Sequence, residues 1–206
     1  VGFAWYAVYA RGRVARTGAI YHVFERLGRR RYAPLDAELR GILKEKGLRT
    51  GDPFDEIVAR SRVLDLHQPI EFEQLARDVS SWFAELTPYS SEEIASQFLE
   101  GTRIGATPVT HGVALPHLRV EGLSEPEMVL VRCSPGAHII FMNPLAAAHR
   151  QDEQIVHAVF FLVSPDDNPT QPLRMLAQIA SRVDDEGFSD EWDAAKGDQE
   201  LREALL

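Results

Sequence analysis

The run IVHAVFFLV at residues 155–163 decides the fold class. It is apolar almost throughout, it is rich in Val, Ile and Phe, and it stops at Ser164 and Pro165. A short apolar run bounded by turn residues is typical of a strand that is buried on both faces. We therefore predict a central strand here, and such a strand needs other elements packed on both faces of its sheet.

The segments on either side of this run provide those elements. Strands are predicted where Val, Ile, Leu or Phe cluster between turn residues, at 62–66, 112–115, 128–133 and 137–141. Helices are predicted where apolar residues recur at spacings of three and four, at 71–86, 90–101, 170–183 and 190–206. Helices before and after a set of strands indicate an α/β domain in which a mixed β-sheet is covered by helices.

Composition limits the class of protein. The chain has 206 residues, of which 45% are hydrophobic and 26% charged, as in a globular protein. Its single cysteine, Cys133, excludes a disulfide scaffold and a cysteine-rich zinc site. The formal net charge of −9 argues against nucleic acid as a partner. We predict neither a metal site nor a cofactor.

The charge is divided unevenly along the chain. Residues 1–31 carry seven arginines against the single acid Glu25, whereas the remainder has a balance of −15. A basic N-terminal region is therefore joined to an acidic main domain.

The first ten residues, VGFAWYAVYA, are uncharged, and Arg11, Arg13 and Arg16 follow them. As a helix they would reach about 15 Å, half of a hydrocarbon core of about 30 Å. The order apolar, aromatic, basic favours the end of a truncated transmembrane helix with a cytoplasmic basic stop at residues 1–16. The alternative is a short buried or amphipathic helix of a soluble protein.

Residues 17–53 are predicted to form a basic helical connector. Over residues 17–34, apolar side chains at helical spacing lie opposite basic ones. Such a helix suits an anionic membrane surface, and packing on the rest of the molecule is the alternative. The main domain is then expected over residues 54–206.

The segment THGVALPH, residues 110–117, contains the histidine pair most suggestive of chemistry. A histidine held at the end of a strand can be a nucleophile, a proton shuttle or a ligand. From the residues alone, a structural or surface role for His111 and His117 stays open. The chain has no glycine-rich phosphate loop and no nucleophile elbow, so a nucleotide hydrolase is not predicted.

The longer stretch LEGTRIGATPVTHGVALPH, residues 99–117, resembles the active-site region of the fructose/mannitol-type enzyme IIA domain of the bacterial sugar phosphotransferase system. The residues that match the family's motif are Gly105, Thr107, Gly112, Ala114, Pro116 and His117. The apolar strand at 155–163 and the helix after it also look like that family. The resemblance implies the enzyme IIA fold, from about Phe54 to the C-terminus.

The resemblance also implies roles for individual residues. In that family the histidine of the Pro-His pair accepts a phosphoryl group from a phosphorylated carrier protein, and that histidine is His117 here. The family's arginine, glutamate and second histidine fall at Gly101, Thr102 and Pro172. The candidate binding residues near His117 in the sequence are His111, Thr107, Gly112, Arg103 and Arg119.

The N-terminal stretch is similar to the end of the last membrane helix in amino-acid permeases of the amino acid, polyamine and organocation superfamily. Some of those permeases carry an enzyme IIA-like domain at their cytoplasmic C-terminus. The resemblance implies a location on the cytoplasmic side of the cell membrane. The partners expected are the transmembrane transporter domain of the same polypeptide, the inner face of the membrane, a phosphocarrier protein and a second copy in a homo-oligomer.

Three functions are compatible with these features. Loss of preorganised polar partners weakens catalysis, so we expect a regulatory domain of an amino-acid transporter that is not an enzyme and lacks phosphotransferase activity. The alternative is an active phosphoacceptor in which phosphorylation of His117 couples transport to the state of the sugar system. The third is a structural oligomerisation domain without a ligand.

Overall fold

The computed structural model describes residues 52–142, 151–167 and 170–206. The predictions for residues 1–16, and for the connector as far as residue 51, lie outside these ranges. The helices are α1 Pro53–Arg60, α2 Phe72–Ala84, α3 Ser91–Arg103, α4 Thr170–Val183, α5 Phe188–Ala194 and α6 Asp198–Leu205. The strands are β1 Arg62–Leu66, β2 Ile70–Glu71, β3 Val109–Thr110, β4 Val113–Ala114, β5 His117–Val120, β6 Glu127–Met142 and β7 Gln151–Pro165.

The seven strands of the described ranges belong to one mixed sheet. The long strands β6 and β7 pair antiparallel at its centre. Strands β1 and β2 run parallel to β6, one after the other along its outer side. Strands β4 and β5 run parallel to β7 in the same way, and β3 pairs antiparallel with β4. The predicted mixed sheet is confirmed.

Two helical layers cover this sheet, and β7 contributes side chains to both. Phe160 packs edge-on against Trp192 of α5, with 5.1 Å between ring centroids. Phe161 faces the opposite side, where it meets Phe98 of α3 at 5.1 Å and stacks on Phe72 of α2 at 5.8 Å. Alternation along a strand sends successive side chains to opposite faces. From Ala158 to Val163 the central strand is therefore buried on both faces, as predicted, whereas Ile155 and His157 at the start of the predicted run are exposed.

Capping residues mark where two of the helices begin. The side chain of Ser90 accepts a hydrogen bond from the Glu93 backbone N–H, and Glu93 accepts one from the Ser90 N–H, so a capping box begins α3. These bonds lower the pKa of Glu93. Asp52 accepts a hydrogen bond from the Phe54 N–H at 3.1 Å, directly before α1.

Strand β6 corrects one prediction. The runs at 128–133 and 137–141 form a single strand, interrupted by an irregularity in register between Arg132 and Ala137. Gly136 lies within it at a φ of 100°. A β-bulge accommodates extra residues while the strand continues, so the Pro135–Gly136 pair bends the strand instead of ending it.

The C-terminal segment corrects a second prediction. The single helix expected over 190–206 is two helices, α5 and α6, and Gly197 before α6 has fully extended backbone. The guanidinium of Arg132 donates to the carbonyl oxygens of Trp192 at 3.0 Å and Ala195 at 2.7 Å. These hydrogen bonds satisfy carbonyl groups at the C-terminal end of α5, where the chain leaves the helical path.

Candidate functional site

His117 is the first residue of β5 and pairs in register with Leu162 of β7. The next residue, Leu118, and buried Val120 pack with the cluster under α2 and α3. Leu162 belongs to the other cluster, beneath α4 and α5. The half-buried side chain of His117 therefore projects from the face of the sheet on which α4 packs, next to β7.

One backbone hydrogen bond fixes the imidazole of His117. Its Nδ1 lies 3.1 Å from the carbonyl oxygen of Leu115. A carbonyl oxygen only accepts, so Nδ1 carries a proton, and in the neutral form of the ring Nε2 keeps its lone pair. The strand beneath is anchored as well, because the carbonyl of Pro116 accepts the N–H of Leu162 at 3.0 Å. Of the two ring nitrogens, Nε2 is therefore the one available as a nucleophile.

A tight hairpin joins β3 to β4 just before this histidine. Thr110 pairs with Val113, and the two residues between them, His111 and Gly112, have φ values of 47° and 74°. Two consecutive positive φ values are the mark of a type I′ turn. The carbonyl of Gly112 accepts the N–H of His157 at 2.8 Å. Gly112 thus supplies a positive φ that the turn needs, and its carbonyl accepts the hydrogen bond that attaches the turn to β7.

His111 has a partner of its own, away from His117. Its Nδ1 lies 3.0 Å from Oδ1 of Asp184, which directly follows α4, and both side chains are exposed. Val113, two residues after His111, pairs with Ala158 of β7, whereas His117 pairs with Leu162. Ala158 and Leu162 are four residues apart along β7, roughly 13 Å. The structure therefore places the two histidines at different points along β7.

Thr107 is buried and contributes to the loop that follows α3. The hydroxyl of Thr102 donates to the carbonyl of Phe98 at 3.0 Å. The hydroxyl oxygens of Thr102 and Thr107 are 2.8 Å apart, and since Thr102 has used its proton, Thr107 is the donor. The Thr107 hydroxyl proton thus ties the loop to the helix.

The two candidate arginines are in different settings. Arg103, in the last turn of α3, donates to both carboxylate oxygens of Glu100, at 2.7 and 2.6 Å. This contact raises the pKa of Arg103 and lowers that of Glu100. Arg103 also lines a surface groove of about 440 Å³ along α3, to which His117 does not contribute. Arg119 lies on β5 itself, 3.9 Å from Asp166.

Another histidine, His138 of β6, has two acidic neighbours. Its Nδ1 is 2.9 Å from Glu71, and its Nε2 is 3.6 Å from Glu153. The hydrogen bond to Glu71, with a smaller contribution from Glu153, raises the pKa of His138. Across the described ranges, no three His, Cys, Asp or Glu side chains come together in a way that suits a metal ion.

The sequence does not predict that Asp166 and Asp184 contact the candidate site residues Arg119 and His111. Asp166 precedes α4 and Asp184 follows it, where acids are expected as helix-flanking, solvated residues. Their contacts with Arg119 and His111 arise because α4 folds back along β7. Nothing in the local sequence signals that packing.

Comparison with known proteins assigns the family. Residues 73–206 match the family described as phosphoenolpyruvate-dependent sugar phosphotransferase system, EIIA 2. The chain belongs to this family. A nitrogen regulatory protein from Bradyrhizobium diazoefficiens is 24% identical over 153 residues, which are 74% of this chain and 94% of that protein. This relative of the EIIA 2 domain, residues 73–206, is therefore named as a regulatory protein.

Two crystal structures share the fold of the EIIA 2 domain. Nitrogen regulatory protein IIA-Ntr from Neisseria meningitidis matches with a TM-score of 0.58 and 17% identity, over 75% of this chain and 100% of that one. IIA mannitol from Escherichia coli matches with a TM-score of 0.50 and 14% identity, over 70% and 96%. At these identities the likeness shows the fold, and it confirms the predicted fold class.

Within the described ranges, no helix combines the length and the apolar character needed to cross a bilayer. The predicted end of a transmembrane helix falls in residues 1–16, which the structure does not describe.

Proposed function

We propose that the EIIA 2 domain is a regulatory phosphoacceptor, phosphorylated on Nε2 of His117 by a phosphocarrier protein. The observation that carries this proposal is the hydrogen bond from Nδ1 to the Leu115 carbonyl, because it leaves the lone pair on Nε2. The sequence favours loss of phosphotransfer, since the family's arginine and second histidine are replaced. The geometry of His117 favours the alternative, in which the acceptor itself is intact.

The bonds that form and break in this step involve the His117 imidazole and the phosphorylated carrier. The Nε2 lone pair forms the new N–P bond while the P–N bond to the carrier's histidine breaks, and the carrier's ring takes back that electron pair. Positive charge that develops on the His117 ring is shared through Nδ1–H with the Leu115 carbonyl. No proton has to leave His117 during the transfer.

The product changes the charge of an already acidic domain. A phosphoryl group adds about −1.5 to −2 charges near neutral pH, and residues 32–206 already have a balance of −15. The phosphorylated domain would bind acidic surfaces less well and basic ones better. A charge switch of this kind suits a regulatory module that is not a turnover enzyme.

Transfer from a phosphorylated phosphocarrier protein to the 206-residue chain tests the proposal, with intact mass as the readout. We expect one phosphoryl adduct on the native chain, none on His117→Ala, and a full adduct on the matched control His111→Ala. An adduct that survives in His117→Ala would overturn the assignment. So would a native chain that stays unlabelled by a carrier which labels another EIIA protein in the same tube.

We further propose that the domain regulates a membrane transporter for amino acids, as part of the same polypeptide at the cytoplasmic face. The support is the sequence of residues 1–16, where an uncharged aromatic run precedes three arginines. Deletion of residues 54–206 from the complete transporter should change the transport rate or the oligomeric state. Unchanged transport and assembly would remove the regulatory role while leaving the phosphoacceptor chemistry to be judged by the first experiment.

A further inference from the structure

We propose that Arg119 is the cation that holds the phosphoryl group on His117, in place of the arginine that the family carries at the position of Gly101. This inference rests on the proposed phosphoacceptor function of His117. It gives the site a positive group that neither the motif nor its spacing assigns.

Strand geometry places the two side chains together. Residues two apart on a strand project from the same face about 7 Å from each other. On β5 the intervening Leu118 and the following Val120 pack toward α2 and α3. His117 and Arg119 therefore project from the opposite face. An arginine side chain spans that separation, so its guanidinium can meet a phosphoryl group on Nε2.

Arg119 is also free to make this contact. Within the described ranges its ion pair is with Asp166 at 3.9 Å, and the two side chains are 55% and 63% exposed. Exposed pairs at this distance are weakly held and exchange readily. A phosphoryl dianion offers more charge and a bidentate geometry, which a guanidinium fork matches. The dianion is therefore the stronger partner.

The competing arginine is less well placed. Arg103 is bound through two hydrogen bonds to Glu100 of its own helix. Its helix α3 packs Ile94 and Phe98 against the sheet face opposite to His117. Arg103 would have to leave a bidentate partner before its guanidinium could meet the phosphoryl group. Arg119 needs only to turn along its own strand.

In this proposal Arg119 neutralises negative charge on the phosphoryl group during transfer. The transferred phosphoryl group carries negative charge on its three equatorial oxygens in the transition state. The surrounding domain is acidic, so without a cation this charge would be repelled. The guanidinium neutralises part of it and then stays on the product as a charge-assisted hydrogen-bond donor.

Potassium phosphoramidate, a small-molecule phosphoryl donor, tests this independently of any carrier. It would be applied to the 206-residue chain and to Arg119→Gln, Arg119→Lys, Arg103→Gln and the distant control Arg77→Gln. We expect labelling of His117 to slow about tenfold in Arg119→Gln, to recover in part in Arg119→Lys, and to be unchanged in Arg77→Gln.

A second readout separates a direct contact from a structural effect. A cation beside a phosphoryl group favours its dianion, so the ³¹P resonance of phosphorylated His117 should titrate at higher pH in Arg119→Gln than in the native chain. Equal rates and equal titration midpoints in Arg119→Gln and Arg77→Gln would overturn the inference. So would a loss confined to Arg103→Gln.

The two proposals fail in different ways. If phosphoramidate labels His117 in an Arg119-dependent manner but the phosphorylated carrier does not, the role of Arg119 stands and the carrier-dependent function is overturned. If the carrier labels His117 equally well with and without Arg119, the function stands and the role of Arg119 is overturned. Absence of label on His117 from both donors overturns both.

Discussion

Replacing Arg132 with Met is expected to lower the free energy of unfolding by about 3 to 5 kcal/mol, the usual cost of removing one partner of a buried ion pair. The Arg132 side chain is 8% exposed and forms a bidentate pair with Asp65, which is 24% exposed. Its Nε lies 2.9 Å from one carboxylate oxygen and its Nη2 2.5 Å from the other. Met fills a similar volume but leaves Asp65 charged without its partner.

The same substitution also releases the end of α5. Arg132 donates to the carbonyls of Trp192 and Ala195, so the variant loses contacts between β6 and the C-terminal helices. Chemical denaturation of the native chain, Arg132→Met and the exposed control Arg77→Met measures the effect. Equal loss in the two variants would show that the buried pair does not stabilise the fold.

Acid should weaken this pair in a defined pH range. The hydrogen bond from Arg132 lowers the pKa of Asp65 below its ordinary value, which is about 4. Because the folded-state pKa is the lower one, the stabilisation is complete above about pH 4 and is lost as the pH falls through the lowered pKa. The stability gap between the native chain and Asp65→Asn should narrow over that range.

The sequence predicts the elements of this fold better than their ends. The run at 155–163 identifies the central strand because a short run that is apolar almost throughout and bounded by turn residues is typical of a strand inside a covered sheet. Local patterns fail where a distant residue decides the outcome. Pro135 and Gly136 resemble the end of a strand, yet β6 continues because β7 keeps pairing beyond them. At the break between α5 and α6, the carbonyls of Trp192 and Ala195 accept hydrogen bonds from Arg132, some sixty positions earlier in the chain.

In the candidate site, too, local sequence predicts some features, and others depend on the folded structure. His117 is identified from its motif, and the structure adds the proton position on Nδ1, which depends on a backbone carbonyl two residues away. From the sequence alone, Arg103 and Arg119 are equal candidates for binding at the site, because both lie near His117 along the chain. Alternation along β5 and the bond from Arg103 to Glu100 distinguish them. The roles of all these residues in phosphoryl transfer remain predictions.

Replacing Gly136 with Ala is the second large effect we expect, with a loss of about 2 to 4 kcal/mol in the free energy of unfolding from left-handed backbone strain together with overpacking. Gly136 has a φ of 100°, and a Cβ added there would lie 2.2 Å from Cγ2 of Ile155. Ile155 is β-branched, so rotation about its χ1 angle is restricted, and relief of this contact strains the Ile155 side chain or displaces β7.

Gly101 provides the matched control for this substitution. It lies in α3 at an ordinary φ, and an added Cβ there would meet no atom within 4 Å. Ala at this position should stabilise the helix by about 0.5 to 1 kcal/mol. Opposite signs of the two changes, measured by denaturation, are the expected result, and a loss at Gly136 no larger than the change at Gly101 would contradict it.

The strain at Gly136 should also reach the phosphoacceptor. Ile155 lies two residues before His157, whose N–H bonds to the Gly112 carbonyl in the hairpin that leads to His117. Displacement of β7 at this point therefore disturbs the strand that sets the register of β4 and β5. We expect Gly136→Ala to slow phosphoramidate labelling of His117 while Gly101→Ala leaves the rate unchanged, since α3 is on the other face of the sheet.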